Sequence, residues 1–316
     1  MTVLIRQSGF AAIGECMLEL NQLAAADAEG GAAQLSLGFG GDTLNTTLYL
    51  SRLGVPASYV TVLGDDARSQ WMLDEWAKEG INSELVVRMP GRRPGLYWIT
   101  TDDHGERSFA YWRSEAPARE LFDAPERVAE LTRKLSGFGM VYLTGITLSL
   151  YSPEARDRLY AMLATLREQG VVIGFDGNFR PAAWPVAAQA REAFEQTARL
   201  SHVVLPTFED EALLFGDDAP EATITRLRNW GVAEVVVKLG GDGCLIGTGD
   251  QLHTVTTQPI ASPIDTTAAG DSFSAGYLAA RYRGESPTAA ADLGNRLAGR
   301  VIMHRGAIIP KSAMPE

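Results

Sequence analysis

Cysteine and histidine are scarce in this chain, and long apolar runs are missing. Only Cys16 and Cys244 occur, far apart in sequence. That excludes a disulfide framework and points to two free thiols in a reducing compartment. The four histidines, His104, His202, His253 and His304, lack metal-ligand spacing, so no His/Cys metal centre is expected. No apolar stretch reaches the roughly 18 residues of a membrane span. The N-terminus shows no secretory pattern either. The cytoplasm is the expected location, with no membrane partner. Positive charge is also short: 28 Lys and Arg stand against 39 Asp and Glu, a formal net charge of −11. With no basic run or basic-aromatic stripe, nucleic acid is excluded as a main partner. An acidic ligand would need arginines concentrated locally, and Arg92, Arg93, Arg107, Arg113 and the separate Arg180 are the candidates.

Three familiar loops are absent too. There is no G-x-x-x-x-G-K-[ST], no G-x-G-x-x-G after the first strand and no G-x-S-x-G elbow. A bound nucleotide would have to be held by some other loop.

What is present is an alternation of short apolar runs and helical patterns from end to end. Strands are predicted near residues 10–14, 58–63, 140–144, 171–176, 202–205 and 235–239. Helices are predicted near residues 42–53, 67–79, 153–168, 209–215, 221–230, 271–283 and 288–305. This pattern predicts an α/β fold with a mostly parallel sheet covered by helices on both faces. Residues 95–101 and 107–113, around D-D-H-G-E, read as a β-hairpin. With the non-helical segment that follows Cys16, they suggest a small β lid built from residues 16–39 and 92–115. An Ala/Gly-rich loop at residues 24–33 reads as an insertion in that lid. No linker divides the 316 residues, so one domain is expected.

The most telling stretch is D-T-T-A-A-G-D-S-F-S-A-G-Y-L, starting at Asp265. Ala268, Ala269 and Gly270 are small and open a helix. Unpaired amides at such a start point one way and attract an anion, and the helix dipole adds to this. Asp271 places a carboxylate beside that anion. If the anion is a phosphate in transfer, Asp271 can orient the attacking hydroxyl and accept its proton. Taken alone, the stretch is more simply a capped helix after a loop. Four other stretches fall at strand ends or loops: G-F-G-G-D-T-L-N from Gly38, Y-W-R from Tyr111, F-D-G-N-F-R-P from Phe175 and K-L-G-G-D-G from Lys238.

Together these stretches resemble the ribokinase-like (PfkB-type) carbohydrate kinases over essentially the whole chain. Residues 265–278 match the C-terminal signature of that family. Gly40, Gly41, Asn45, Gly54 and Gly64 resemble the N-terminal one. G-E-C-M-L-E-L from Gly14, P-G-L-Y from Pro94 and R-G-A-I-I-P from Arg305 add a likeness to the branch that phosphorylates 2-keto-3-deoxygluconate. The resemblance implies ATP with Mg²⁺, room for a monovalent cation such as K⁺, and a homo-oligomer, most simply a dimer. It makes Asp271 the base, with Ala268, Ala269 and Gly270 giving anion-hole amides. Asn178, Arg180, Lys238, Gly240, Gly241 and Gly243 would flank the nucleotide. Gly40, Gly41, Asn45, Tyr97, Tyr111, Arg113 and Arg180 would surround the sugar acid. Glu211 would approach the metal through water. One departure is visible: Phe208 stands where many family members carry Asn, with Thr207 beside it. A fructokinase- or ribokinase-type activity, or a sugar-acid sensor without catalysis, are the alternatives.

Overall fold

The computed structural model describes residues 3–22, 34–101 and 107–315. The loop at residues 24–33, the D-D-H-G-E turn and the side chain of Arg107 lie outside the described residues. The strands, in chain order, are β1 Phe10–Ile13, β2 Met17–Gln22, β3 Leu35–Gly40, β4 Ala57–Val60, β5 Val62–Gly64, β6 Val87–Met89 and β7 Leu96–Thr101. They continue with β8 Arg107–Trp112, β9 Met140–Thr144, β10 Val172–Asp176, β11 Val203–Val204, β12 Glu234–Lys238, β13 Cys244–Thr248 and β14 Gln251–Val255. The helices are α1 Asp42–Arg52, α2 Ala67–Lys78, α3 Pro125–Leu135, α4 Gly145–Ser149 and α5 Pro153–Glu168. After them come α6 Ala187–Leu200, α7 Phe208–Phe215, α8 Pro220–Asn229, α9 Ala269–Tyr282 and α10 Pro287–Val301.

Eight strands form the main sheet in the order β14-β13-β12-β11-β10-β9-β1-β4. From β4 to β12 every pairing is parallel, and only β13 and β14 run antiparallel at one edge. The central strands are apolar on both sides and buried on both: β1, β4, β9, β10 and β12 have no exposed residue. Two hydrophobic clusters result, one on each face. One gathers Phe10, Tyr59, Trp76 and Tyr277; the other gathers Ile13, Val141, Phe175 and Phe194. The parallel α/β expectation therefore holds.

Local chemistry sets several boundaries. Asp66 caps α2 by accepting from the amides of Arg68 and Ser69. Ser152 caps α5 ahead of Pro153. Gly216 closes α7 in the left-handed conformation, φ 79°. Helices α9 and α10 cross closely because two glycines meet: a Cβ on Gly276 would lie 2.8 Å from the Cα of Gly294.

The second sheet, β3-β2-β7-β8, is the expected lid. It grows directly from the body, since β2 begins four residues after β1 ends. Its faces differ. Glu19, Tyr97 and Tyr111 lie opposite one another on one face, while Leu20, Leu37, Trp98 and Ala110 share the other.

Three features differ from the sequence reading. The single strand expected near residues 58–63 is two, β4 and β5, because the chain leaves the main sheet after Val60 and pairs with β6. The β13–β14 hairpin was not anticipated; its turn signal is Gly249-Asp250, with Gly249 at φ 51°. Helices α3, α4 and α6 were also missed. Helix α3 buries only Leu131 and Leu135 beneath a charged outer face.

Candidate active site

The C-terminal ends of the parallel strands are where α/β folds bind ligands, and here they carry a cluster of carboxylates. Asp176 ends β10, and Asp42 opens α1 beside it. Asp271 lies in the first turn of α9. Helices α1 and α9 pack side by side, so Asn45 Nδ2 donates to Asp271 Oδ2 at 2.9 Å and Thr46 Oγ1 donates to the Asp271 carbonyl at 3.2 Å. Asp42 Oδ2 accepts from Thr144 Oγ1 at 2.6 Å and from Asn178 Nδ2 at 2.9 Å. Lys238, ending β12, reaches across to Asp176 Oδ2 at 2.6 Å, and Ser274 Oγ donates to the same oxygen at 3.0 Å.

This crowding changes the acidity of Asp271. Desolvation first, and then the nearby negative charge of Asp42, push its carboxyl up to about 7, against the donor bond from Asn45. An ordinary aspartate would be a weak base for an alcohol. A carboxylate that gains its proton near neutral pH is matched to the task. Asp42 is raised as well, again through burial first, with its donors Thr144, Thr43 and Asn178 acting in the opposite direction.

The loop expected to receive an anion departs from that expectation at one amide. Ala268 adopts a left-handed backbone, φ 60°, unusual for a residue with a Cβ. The amide of Ala269, expected to face the anion, instead donates to the Thr266 carbonyl at 3.2 Å. The first helical bond runs from Ser272 to Ala268, so the amides of Gly270 and Asp271 have no acceptor within the helix. Gly270 faces Lys238: a Cβ there would lie 3.4 Å from the Lys238 Nζ. An ammonium and a helix N-terminus thus meet at one point.

On the lid side, a cleft of about 1260 Å³ is lined by Arg92, Arg93, Tyr111, Arg113, Arg119 and Arg180 among others. Arg113 is already engaged, ion-paired with Glu15, which is only 4% exposed. Burial raises the Glu15 carboxyl despite Arg113 and Arg119 beside it. Arg180 is more open; it donates to the Phe179 carbonyl at 2.8 Å and lies 3.6 Å from Asp210. Tyr97 donates to Glu19 and stands over Gly40, where any side chain would overlap its hydroxyl. Tyr97 and Tyr111 rings lie 6.0 Å apart on the same lid face.

The Gly240–Asp242 turn follows Lys238, and Gly243, at φ 93°, leaves no room for a side chain against Val255 and Thr256. Beyond it opens a second cleft of about 970 Å³, lined by Thr256, Thr257, Ile260, Asp292, Asn295 and Met314 among others. The Asn295 Nδ2 is buried there without a hydrogen-bond partner, a costly state that a ligand acceptor would relieve. Glu211, expected near a metal, is instead bound to Arg226 at 2.7 Å, and its carboxyl is raised to about 7, chiefly by burial. Among the described residues no cluster of His, Cys, Asp or Glu could hold a metal ion by itself. Cys16 and Cys244 are free and buried.

A family model described as pfkB family carbohydrate kinase matches residues 8–314. The chain belongs to that family. The kinase is 44% identical over 312 residues to a 2-dehydro-3-deoxygluconokinase of Escherichia coli, covering 96% of this chain and 98% of that protein. Its backbone also superposes on the crystal structure of a 2-dehydro-3-deoxygluconokinase from Thermotoga maritima, with TM-score 0.82, 19% identity and 95% of each chain covered. A fructokinase with bound ATP from Xylella fastidiosa gives TM-score 0.81 at 20% identity, over 98% of this chain and 96% of that one. Those two likenesses establish the fold alone. Among the described residues, no helix of the kinase is long and apolar enough to cross a membrane.

Sequence reasoning missed Asp42, Asp176, Glu15 and Asn295. The first three stand inside stretches singled out for family likeness, without roles. Asn295 lies mid-helix, in the run L-G-N-R-L, and gave no signal.

Proposed function

We propose that this kinase transfers the γ-phosphoryl group of ATP to the terminal hydroxyl of 2-keto-3-deoxygluconate (2-dehydro-3-deoxygluconate), giving the 6-phosphate and ADP. The observation that carries the substrate class is the arginine-lined cleft on the lid side, which suits a carboxylate. Relatives that are 2-dehydro-3-deoxygluconokinases, 41–44% identical, support the same reading. The nucleotide side fits ATP: Lys238 and the α9 amides suit its phosphates, and Asn295 offers a donor to its base. Mg²⁺ would come with the phosphates and water, as it usually does, and would offset charge on the transferring group. Glu211 is tied to Arg226 and does not fit as a direct ligand. K⁺ dependence belongs to the same reading.

In the reaction, the substrate hydroxyl oxygen forms a bond to the γ-phosphorus as the bond to the ADP oxygen breaks. The proton goes to Asp271, whose Oδ2 is fixed by Asn45. A loose transition state releases that proton late, so positioning matters more than strong basicity. Lys238 and the amides of Gly270 and Asp271 stabilise charge on the phosphoryl oxygens. Tyr97, Tyr111 and the lid sheet keep water, a competing acceptor, away.

The experiment for the substrate class is a pair of arginine variants. A charge-assisted hydrogen bond contributes about 1.5–3 kcal/mol, so Arg180→Ala should raise the sugar-acid KM roughly tenfold or more. Arg113→Ala should also lower kcat, since Arg113 orients the lid and its loss leaves Glu15 buried without its cation. Steady-state kinetics on the sugar acid decide this. Unchanged KM in both variants would remove the carboxylate from the cleft.

A dimer fits the lid. Leu35, Leu37 and Trp112 share its outer face and are 37%, 39% and 57% exposed. A second copy placed on this face by a two-fold axis would cover both apolar rows. Leu37→Arg with Trp112→Glu should convert a dimer to a monomer in light scattering. A wild-type monomer would contradict the pairing.

A further inference from the structure

Asp42 has no part in the chemistry above, yet it stands at the centre of the site. A single oxygen, Oδ2, receives both Thr144 Oγ1 and Asn178 Nδ2. Three elements are joined by that atom: the start of α1, the end of β9 and the loop after β10. Asn178 is in left-handed backbone, φ 39°, a conformation that asparagine tolerates better than other residues with a side chain. The next amide, Phe179, is held by Asp210 Oδ2 at 3.1 Å, so two carboxylates fix this loop. One turn further along α1, Asn45 holds Asp271.

The arrangement has an electrostatic cost. Asp42, Asp176 and Asp271 converge from α1, β10 and α9, and Lys238 of β12 is the ammonium among them. Tyr142 of β9 and Tyr49 of α1 also face Asp271. Like charges this close oppose each other's ionisation. An asparagine at position 42 would remove that opposition, but its neutral oxygen would hold the two donors only about half as strongly as the carboxylate does.

We propose that Asp42 is a positioning residue for phosphoryl transfer. Its carboxylate clamps the Asn178 loop to the helix that carries Asn45, holding the acceptor side and the nucleotide side in register. The inference rests on the kinase reading and adds a second consequence to the clamp. The negative charge of Asp42 favours the protonated state of Asp271, so it helps set the pH at which the base becomes available.

The test is Asp42→Asn in the full-length enzyme, with ATP, Mg²⁺ and the sugar acid. We expect kcat to fall about tenfold or more through lost register, and the ATP KM to rise. Removing the like charge makes Asp271 easier to ionise, so the acid limb of the kcat–pH profile should move to lower pH by about one unit or more. A merely structural residue would lower Tm without raising the ATP KM. Asn178→Ser, which keeps the Asp42 charge, should raise the ATP KM while leaving the limb in place. If Asp42→Asn does not fold, Asn178→Ser carries the test, and an unchanged ATP KM there overturns the proposal. A folded Asp42→Asn enzyme with unmoved limb and unmoved ATP KM overturns it as well. A wild-type enzyme that phosphorylates nothing would overturn the kinase reading with it, whereas an active wild type with indifferent variants sinks the clamp alone.

Discussion

Asp271→Asn is expected to lower kcat about 10²–10⁴-fold, the contribution of a positioned general base. The variant keeps the shape of the side chain and loses the ability to take a proton. Its amide can still present an oxygen to Asn45 Nδ2, so α1 and α9 should stay docked. Stability should hold or rise, because one of three crowded carboxylates is gone. Thermal unfolding and ATP titration calorimetry check those two points. The wild type adds a pH signature. Asp271 must be ionised to work, and its carboxyl is raised to about 7. Activity should therefore be full above neutral pH and fall as pH drops through that value. Near-normal turnover in the variant would place the base elsewhere.

Lys238→Met is expected to damage both stability and nucleotide use. Lys238 and Asp176 are 7% and 2% exposed and pair at 2.6 Å. Removing one partner of a buried pair costs about 3–5 kcal/mol, because the other charge stays behind. Ser274 and Tyr142 remain as donors to Asp176, but neither carries charge. The same ammonium faces Gly270 at the anion loop, so the ATP KM should rise and kcat should fall. The two effects can be separated. Adding Asp176→Asn removes the stranded charge, which should recover most of the lost Tm while kcat stays low. Recovery of both would make the pair purely structural.

The sequence made some of this site legible and hid the rest for physical reasons. The α9 start was readable because Ala, Ala and Gly before an Asp leave backbone exposed, a local property. The Asn45–Asp271 bond spans 226 positions, and only the packing of α1 on α9 creates it. Asp42 and Asp176 looked like turn residues, since an acid at a strand end or helix start has an ordinary local explanation. Their meaning comes from the convergence of β9, β10 and β12, which no local pattern shows. Ala268 gave no hint of its left-handed backbone, because that conformation is usually announced by glycine. Tertiary bonding also engages two groups that were expected to serve the site. Thr266 takes the Ala269 amide, and Arg226 takes Glu211. For the fold, strands buried on both faces announced the parallel sheet. Helix α3 and strand β14 are largely exposed, and polar faces there blur the period.

The most direct measurement compares kcat/KM of the purified wild-type enzyme for 2-keto-3-deoxygluconate, fructose and ribose, with ATP and Mg²⁺ in a coupled ADP-release assay. Our account predicts that the sugar acid is preferred by a large factor, and that Arg180→Ala removes most of this preference. A neutral sugar with the higher kcat/KM would contradict the assignment of the arginine-lined cleft to a substrate carboxylate.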